Sequence, residues 1–214
     1  AERLRQEHSN AESARDEEAT AHAEVGLREH AGMLPESDGI RQSCAAYLRG
    51  DGSLTLVTDP PGAEVLLHRY VLHNRRLVPE FVRSLGRTPL RSVSLPMGSY
   101  LCLLRHPERM ETRYPVLIGR QEHWDGVRPG DRAPTPILLP RRGALGEGGA
   151  YVPPGWFWSG GDDNATNSLP RRRLWVDALV MRRFPITNTE YIAFLDDLVA
   201  QGREEEALRY VPRE

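Results

Sequence analysis

The distribution of apolar and polar residues divides the chain into helical, β and mixed parts. Alanine, glutamate and arginine, which favour helices, dominate residues 1–30, and the apolar face that they form is weak. Pro35 ends this predicted helix, and a second short helix is expected around Ile40 to Leu48. Residues 1–50 are therefore interpreted as a helical connector or as the end of a helical repeat array.

A β pattern replaces the helical one after the turn residues Arg49 to Gly52. Residues 53–58 alternate between polar and apolar, as a half-buried strand does. Further strands are expected over residues 63–70, 91–95, 99–105, 112–118 and 136–139. Residues 71–86 are irregular and rich in arginine, and we expect an inserted loop there. Short strands separated by proline and glycine turns predict a small antiparallel β-sandwich over residues 53–139.

A glycine-rich linker is expected at residues 141–150, followed by a new segment over residues 151–214. Thr187 to Glu190 match the capping box that starts a helix. Apolar residues follow at helical spacing, namely Tyr191, Phe194, Leu195, Leu198 and Val199. Gly202 is suited to end this helix, and another helix is expected from Arg203 to Arg209.

Composition excludes several catalytic classes. All 28 basic residues are arginine, so the chain has no lysine. P-loop enzymes and protein kinases place a lysine on the nucleotide phosphates, and Schiff-base enzymes need one as nucleophile. None of these active sites is complete within this sequence.

The remaining composition is that of an ordinary globular protein, with 39% hydrophobic residues and a formal net charge of −2. No apolar run reaches the ~20 residues of a transmembrane helix, and no signal peptide is visible, so we expect a cytoplasmic location and no membrane partner. Cys44 and Cys102 are expected to be buried thiols in a reducing compartment.

No catalytic, cofactor-binding or metal-binding residues are expected. The histidines and cysteines match no metal-ligand spacing. The arginine run from Arg171 to Arg173 is interpreted as a solvated or partner-facing surface, because acidic residues balance the basic ones overall, and no nucleic-acid partner is expected.

Three motifs in residues 53–139 together resemble the PEGA domain, a small bacterial β-sandwich. They are the runs Asp59-Pro60-Pro61-Gly62-Ala63-Glu64-Val65, Gly86-Arg87-Thr88-Pro89-Leu90 and Leu95-Pro96-Met97-Gly98-Ser99-Tyr100, in that order. The resemblance implies structural roles for Pro61, Gly62, Ala63, Glu64, Thr88, Pro89, Gly98 and Tyr100.

A second stretch resembles the opening of the formylglycine-generating-enzyme (sulfatase-modifying factor) domain, which has a C-type-lectin-like fold. The resemblance is carried by Gly155-Trp156-Phe157-Trp158-Ser159-Gly160-Gly161 and by Thr187-Asn188-Thr189-Glu190-Tyr191-Ile192-Ala193-Phe194. It implies structural roles for Gly155, Phe157, Gly160, Thr187, Asn188, Glu190, Tyr191 and Phe194. Oxidases of that family bind copper through a late cysteine pair, and this sequence has no cysteine after Cys102, so oxidase activity and its cofactor are not carried over.

The expected fold class is therefore α+β and multi-domain: N-terminal helices, a PEGA-like antiparallel β-sandwich and the start of a C-type-lectin-like domain. Neither end resembles a natural chain end, so we expect a fragment. The order of these parts resembles the region that follows the catalytic domain in large bacterial serine/threonine protein kinases.

Three hypotheses for the function follow from these observations. The leading hypothesis is a non-catalytic sensory, scaffolding or partner-binding region of such a kinase, with a protein partner and an unknown oligomeric state. The alternatives are the N-terminal portion of a formylglycine-generating-type oxidase, and a substrate or adaptor protein recognised by a partner. We also expect exposed apolar surface near Trp156, Trp175 and Phe194, covered by further chain or by a partner.

Overall fold

The structure is a computed structural model that describes residues 2–14, 16–146, 148–162 and 165–212. Its helices are α1 (Glu2–Ala14), α2 (Glu17–Gly32), α3 (Gly39–Arg49), α4 (Asn188–Ala200) and α5 (Glu204–Tyr210). Its strands are β1 (Asp51–Leu56), β2 (Thr58–Asp59), β3 (Glu64–His73), β4 (Arg76–Arg87), β5 (Leu90–Pro96), β6 (Gly98–Arg105), β7 (Thr112–Ile118), β8 (His123–Trp124), β9 (Ile137–Leu138), β10 (Gly149–Val152), β11 (Gly155–Ser159), β12 (Arg172–Val176) and β13 (Leu179–Arg182). This mixture confirms the α+β class.

The N-terminal part contains three helices, and the expectation of a single helix over residues 1–30 is wrong. Asp16 interrupts it: its backbone is extended, and its side chain accepts a hydrogen bond from Ala19 N at 2.9 Å, which caps α2. Helices α1 and α2 pack against each other, and α3 matches the second predicted helix. Their small core contains Leu27, Ala31, Cys44 and Tyr47.

Residues 51–139 form a unit of two sheets around one hydrophobic core, which we call the β module. One sheet has the strand order β4-β3-β6-β7 with every pair antiparallel. The other has the order β5-β1-β8, and β1 and β8 are parallel. Strands β2 and β9 form a further parallel pair, so the expectation of a wholly antiparallel sandwich is only partly correct.

Residues 71–86 form a strand hairpin, and the expectation of an inserted loop is wrong. Strands β3 and β4 pair from Glu64 opposite Arg87 to His73 opposite Arg76. The turn contains Asn74 and Arg75, both at positive φ. The neighbouring strand β6 pairs with β3 only as far as Arg69, so the hairpin tip extends beyond the sheet. Both faces of this tip are exposed, which explains why its sequence lacks the alternation of a half-buried strand.

The C-terminal segment, residues 149–212, consists of two strand pairs and two packed helices. Strand β10 pairs with β13, and β11 pairs with β12, both antiparallel. Because β10 begins at Gly149, the last two residues of the predicted linker at 141–150 lie in a strand. Helices α4 and α5 begin and end close to the predicted positions. Among the helices of the described ranges, none combines the length and the apolar character that crossing a membrane requires.

Candidate docking surface

Residues of the first two PEGA-like motifs meet around the hydroxyl of Thr88. The amides of Gly62 and Ala63 donate hydrogen bonds to Thr88 Oγ1 at 3.1 and 3.0 Å. The Thr58 hydroxyl lies 2.5 Å from the same oxygen, and Thr88 N donates to Ala63 O. Pro61 precedes this amide pair and exposes its ring, whereas Thr88 and Ala63 are buried. Two segments that lie far apart in sequence are thus joined through one buried side chain.

The other residues of the PEGA-like motifs help to build the β module. Tyr100 is buried, its hydroxyl donates to Pro96 O at 2.9 Å, and burial raises its pKa above the ordinary value. Gly98 begins the same strand and lies against the Tyr100 ring. Pro89 directly precedes β5, and Glu64 begins β3 opposite Arg87 and Arg105. These residues shape the β module and offer no reactive arrangement.

The β11–β12 hairpin packs on the β module instead of forming a separate core. Trp156 contacts the core of the β module, and its ring meets Trp175 edge to face. The guanidinium of Arg173 lies over Trp156 at 4.4 Å and over Trp124 of β8 at 5.4 Å. Arg171 stacks on Trp158 in the same way. Arg171 and Arg172 are exposed, in line with the expected solvated or partner-facing surface, whereas Arg173 is half-buried between two tryptophan rings and does not fit that expectation.

The alternation of arginine and tryptophan in two paired strands is the signal that would have predicted this contact. Each strand taken separately does not reveal the stacking, which the sequence analysis therefore did not predict.

Gly155 lies next to the Tyr114 ring, where there is little room for a side chain. Gly160 has φ 75°, and a Cβ there would lie 2.2 Å from Leu169 O, so only glycine fits. Phe157 points away from the core and is 55% exposed.

The capping box at the start of α4 is confirmed. Glu190 N donates to Thr187 Oγ1 at 3.2 Å, and Thr187 N donates to Glu190 Oε2 at 2.9 Å. Arg182 of β13 donates to Glu190 Oε1 at 2.6 Å and so connects the strand to the helix. The pKa of Glu190 is lowered to about 2, chiefly by the hydrogen bond from the Thr187 amide and then by those from Arg182 and from the Thr187 hydroxyl. Glu190 thus remains ionised in neutral and mildly acidic solution, and Asn188 is the first residue of the helix.

An aromatic cluster joins the two C-terminal helices. The Phe194 ring lies 6.1 Å from Tyr191 and 5.8 Å from Tyr210, measured between ring centroids. The Tyr191 hydroxyl donates to Tyr210 O at 2.5 Å. Only Leu198 and Ala207 are buried among the described residues of these two helices. The cluster fixes the helices to each other and leaves most of their apolar surface in contact with solvent.

Along the described chain, exposed apolar side chains are most frequent at residues 179–211, on β13, α4, α5 and the segments beside them, and we call these residues together the C-terminal apolar face. It accounts for eleven of the 24 large hydrophobic residues that are exposed within the described ranges. They are Leu179, Val180, Met181, Phe184, Ile186, Ile192, Phe194, Val199, Leu208, Tyr210 and Val211. Such exposure is typical of a surface that another protein element covers.

The expected exposed surface is found near Phe194, which is 43% exposed. Around the tryptophans the outcome differs. Trp156 and Trp175 are themselves half-buried, and the exposed residues there are their neighbours Phe157 and Leu174.

Two features of the metal-ligating and thiol side chains bear on possible chemistry. Within these ranges no three histidine, cysteine, aspartate or glutamate side chains are placed to hold a metal ion. Cys44 and Cys102 are buried free thiols, as expected, and burial raises the pKa of Cys102 to about 12. None of the known protein-family models matches the chain, and a search of curated proteins finds no match.

Proposed function

We propose that the chain is a non-catalytic, partner-binding region of a larger bacterial serine/threonine protein kinase. In this proposal residues 53–139 are a PEGA-like domain, and residues 151–214 are the start of a formylglycine-generating-enzyme-like domain. The observation that carries the partner-binding role is the C-terminal apolar face, with eleven large apolar side chains in contact with solvent. The absence of lysine from the sequence supports the non-catalytic part.

Apolar contact rather than charge would dominate recognition by this face. Residues 179–212 contain four arginines and six acidic residues, which are mixed along the segment. No strong field of one sign attracts nucleic acid or an oppositely charged protein. The expected occupant is therefore a protein surface with apolar side chains, and the strength of binding should change little with salt concentration.

The strands that precede this face contact the β module. The β11–β12 hairpin packs on that module through Trp156, Arg173 and Trp124. Arg128 of the β module also forms an ion pair with Asp177 at 3.1 Å, just before β13.

Site-specific photocrosslinking in the full protein tests the proposal. A photoreactive residue replaces Ile192 of α4, which is 56% exposed on the apolar face. The matched control replaces Ile40 of α3, an isoleucine that is 53% exposed on another helix. We expect crosslinks to a separate protein from position 192 and none from position 40, and Ile192→Asp should abolish binding of that purified protein.

Two results would overturn the partner-binding role. Crosslinks from position 192 only to other parts of the same chain would favour the alternative, a formylglycine-generating-type enzyme whose further chain covers the face. Equal crosslinking at both positions would remove the basis for any specific surface. Independently, transfer of phosphate from ATP or cysteine oxidation by the purified 214-residue chain would refute the non-catalytic assignment.

A further inference from the structure

Several arginines meet at one end of the four-stranded sheet. Arg87 of β4, Glu64 of β3 and Arg105 of β6 lie opposite one another on three neighbouring strands. The turn after β6 contributes Arg109, and the chain beyond β9 contributes Arg142. These residues line a cavity of about 350 Å³. The remaining lining residues are His106, Pro107 and Glu111.

The lining of this cavity is positively charged. Four arginines and two glutamates line it, which gives a formal surplus of two positive charges. Arg87 donates to Gly62 O at 2.9 Å and Arg109 to Leu139 O at 3.4 Å. Glu111 is paired with Arg105, whose Nε lies 2.6 Å from Glu111 Oε2. Arg142 is exposed and forms no hydrogen bond or ion pair with any residue in the described ranges. Its guanidinium is therefore available to a ligand.

Two residues of the lining also carry a nitrogen atom that is buried beneath the cavity wall. Arg109 Nε and His106 Nδ1 are inaccessible to solvent and meet no hydrogen-bonding atom of the residues described. Buried polar atoms in folded proteins rarely stay without a partner. The turn that carries them is held in place, because Arg109 N donates to His106 O at 3.1 Å and Met110 N donates to Pro140 O at 2.9 Å.

We propose that this cavity binds the dianion of a phosphate monoester. A phosphate group carries close to two negative charges at neutral pH, which matches the surplus charge of the lining. Planar guanidinium groups bind phosphate oxygens through paired hydrogen bonds, which suits a site built from arginine. The group is carried either by a small phosphorylated molecule or by a phosphorylated protein side chain, and both present the same chemistry to the site.

Calorimetric titration of the 214-residue chain tests the site. The probes are inorganic phosphate, a short phosphoserine peptide and the same peptide without phosphate. Arg142→Gln should weaken binding of the phosphorylated probes by about tenfold, because it removes one charge-assisted contact. Arg132→Gln is the matched control, since Arg132 is an exposed arginine outside the cavity. The affinity of this variant for the phosphorylated probes should not change.

A second variant should change the phosphate affinity in the opposite direction. Glu64→Gln removes a negative charge from the lining, so it should strengthen phosphate binding. A merely structural effect of these substitutions would not move the two affinities in opposite directions. Tighter binding of the phosphopeptide than of inorganic phosphate indicates a protein side chain as source, and equal affinities indicate a small molecule. Absence of saturable phosphate binding, equal binding of the unphosphorylated peptide, or parallel shifts in both variants would overturn the proposal.

Discussion

The β module and the C-terminal segment use apolar residues in opposite ways. In the β module, sixteen buried residues, most of them from the two larger sheets, form one core. The C-terminal segment buries large apolar side chains poorly, and residues 179–211 expose eleven of them. The difference lies in the layers: each sheet of the β module is covered by the other, and the β11–β12 hairpin packs on this core, whereas β13 and helices α4 and α5 have no such covering layer among the described residues. Apolar content alone therefore does not create a core, and an element needs a partner surface.

The largest expected difference between the two regions concerns leucine side chains. Leu104 of β6 is fully buried, so Leu104→Ala should lower the free energy of unfolding by about 2–5 kcal/mol. Leu179 of β13 is 41% exposed, so Leu179→Ala should change the free energy of unfolding by about 0.5 kcal/mol or less. Urea unfolding followed by tryptophan fluorescence measures both values. Equal losses would contradict the assignment of the core to the β module.

The next largest effect is expected at the buried hydroxyl of Thr88. Thr88→Ala removes the acceptor of the Ala63 amide, while the Gly62 amide keeps its bond to Thr88 O, and should cost about 1–3 kcal/mol of stability. Thr88→Ser keeps the hydroxyl and should retain most of that stability. The same unfolding experiment distinguishes them, and equal loss in both variants would mean that the methyl group matters more than the hydrogen bonds.

A smaller and local effect is expected at the cap of α4. Thr187→Ala removes the cap of the helix and should cost about 1 kcal/mol of helix stability. Because few α4 residues pack in a core, faster amide exchange should be confined to the C-terminal segment. Thr189→Ala is the control, since Thr189 is exposed and outside the capping contacts. Faster exchange throughout the β module would show that the two regions unfold together.

The smallest effect is a pH dependence of the N-terminal helices. Burial, and then the guanidinium of Arg120, lower the pKa of His8 below 6.5, while Glu12 and Glu24 act in the opposite direction. The unfolded chain therefore binds a proton at higher pH than the folded one. The stability supplied by neutral His8, which is hydrogen-bonded to Tyr47, is complete above about pH 6.5 and is lost as the pH falls below it.

Thermal unfolding followed by the circular dichroism of the helices, between pH 7.5 and 5, measures this effect. His22→Gln is the control, because His22 is an exposed histidine on α2, and the loss at low pH should persist in that variant. Higher stability at pH 5 than at pH 7.5 would show that His8 gains a proton in the folded protein.

Sequence reasoning succeeded where short-range chemistry decides the structure. The capping box at Thr187 and Glu190 and the helix end at Gly202 depend only on neighbouring residues, and both were predicted. It failed at Asp16, where a single cap divides a continuous helical pattern, and at residues 71–86, whose strands are exposed on both faces.

The long-range features needed the structure. The parallel pairing of β1 with β8 and the contact of Arg173 with Trp124 join residues that lie far apart in the chain. The arginine-lined cavity draws Arg87, Arg109 and Arg142 from three separate segments, and no spacing in the sequence marks them as neighbours.

Hydrogen exchange of the isolated chain, resolved by region, tests the contrast between the two regions most directly. Amides in β6 and in residues 64–69 of β3 should exchange only through global unfolding, because these parts of the sheet cover the core. Amides in β13 and α4 should exchange much faster, through local opening of a segment without a second layer. Equally strong protection in both regions of the monomer would contradict an uncovered C-terminal apolar face.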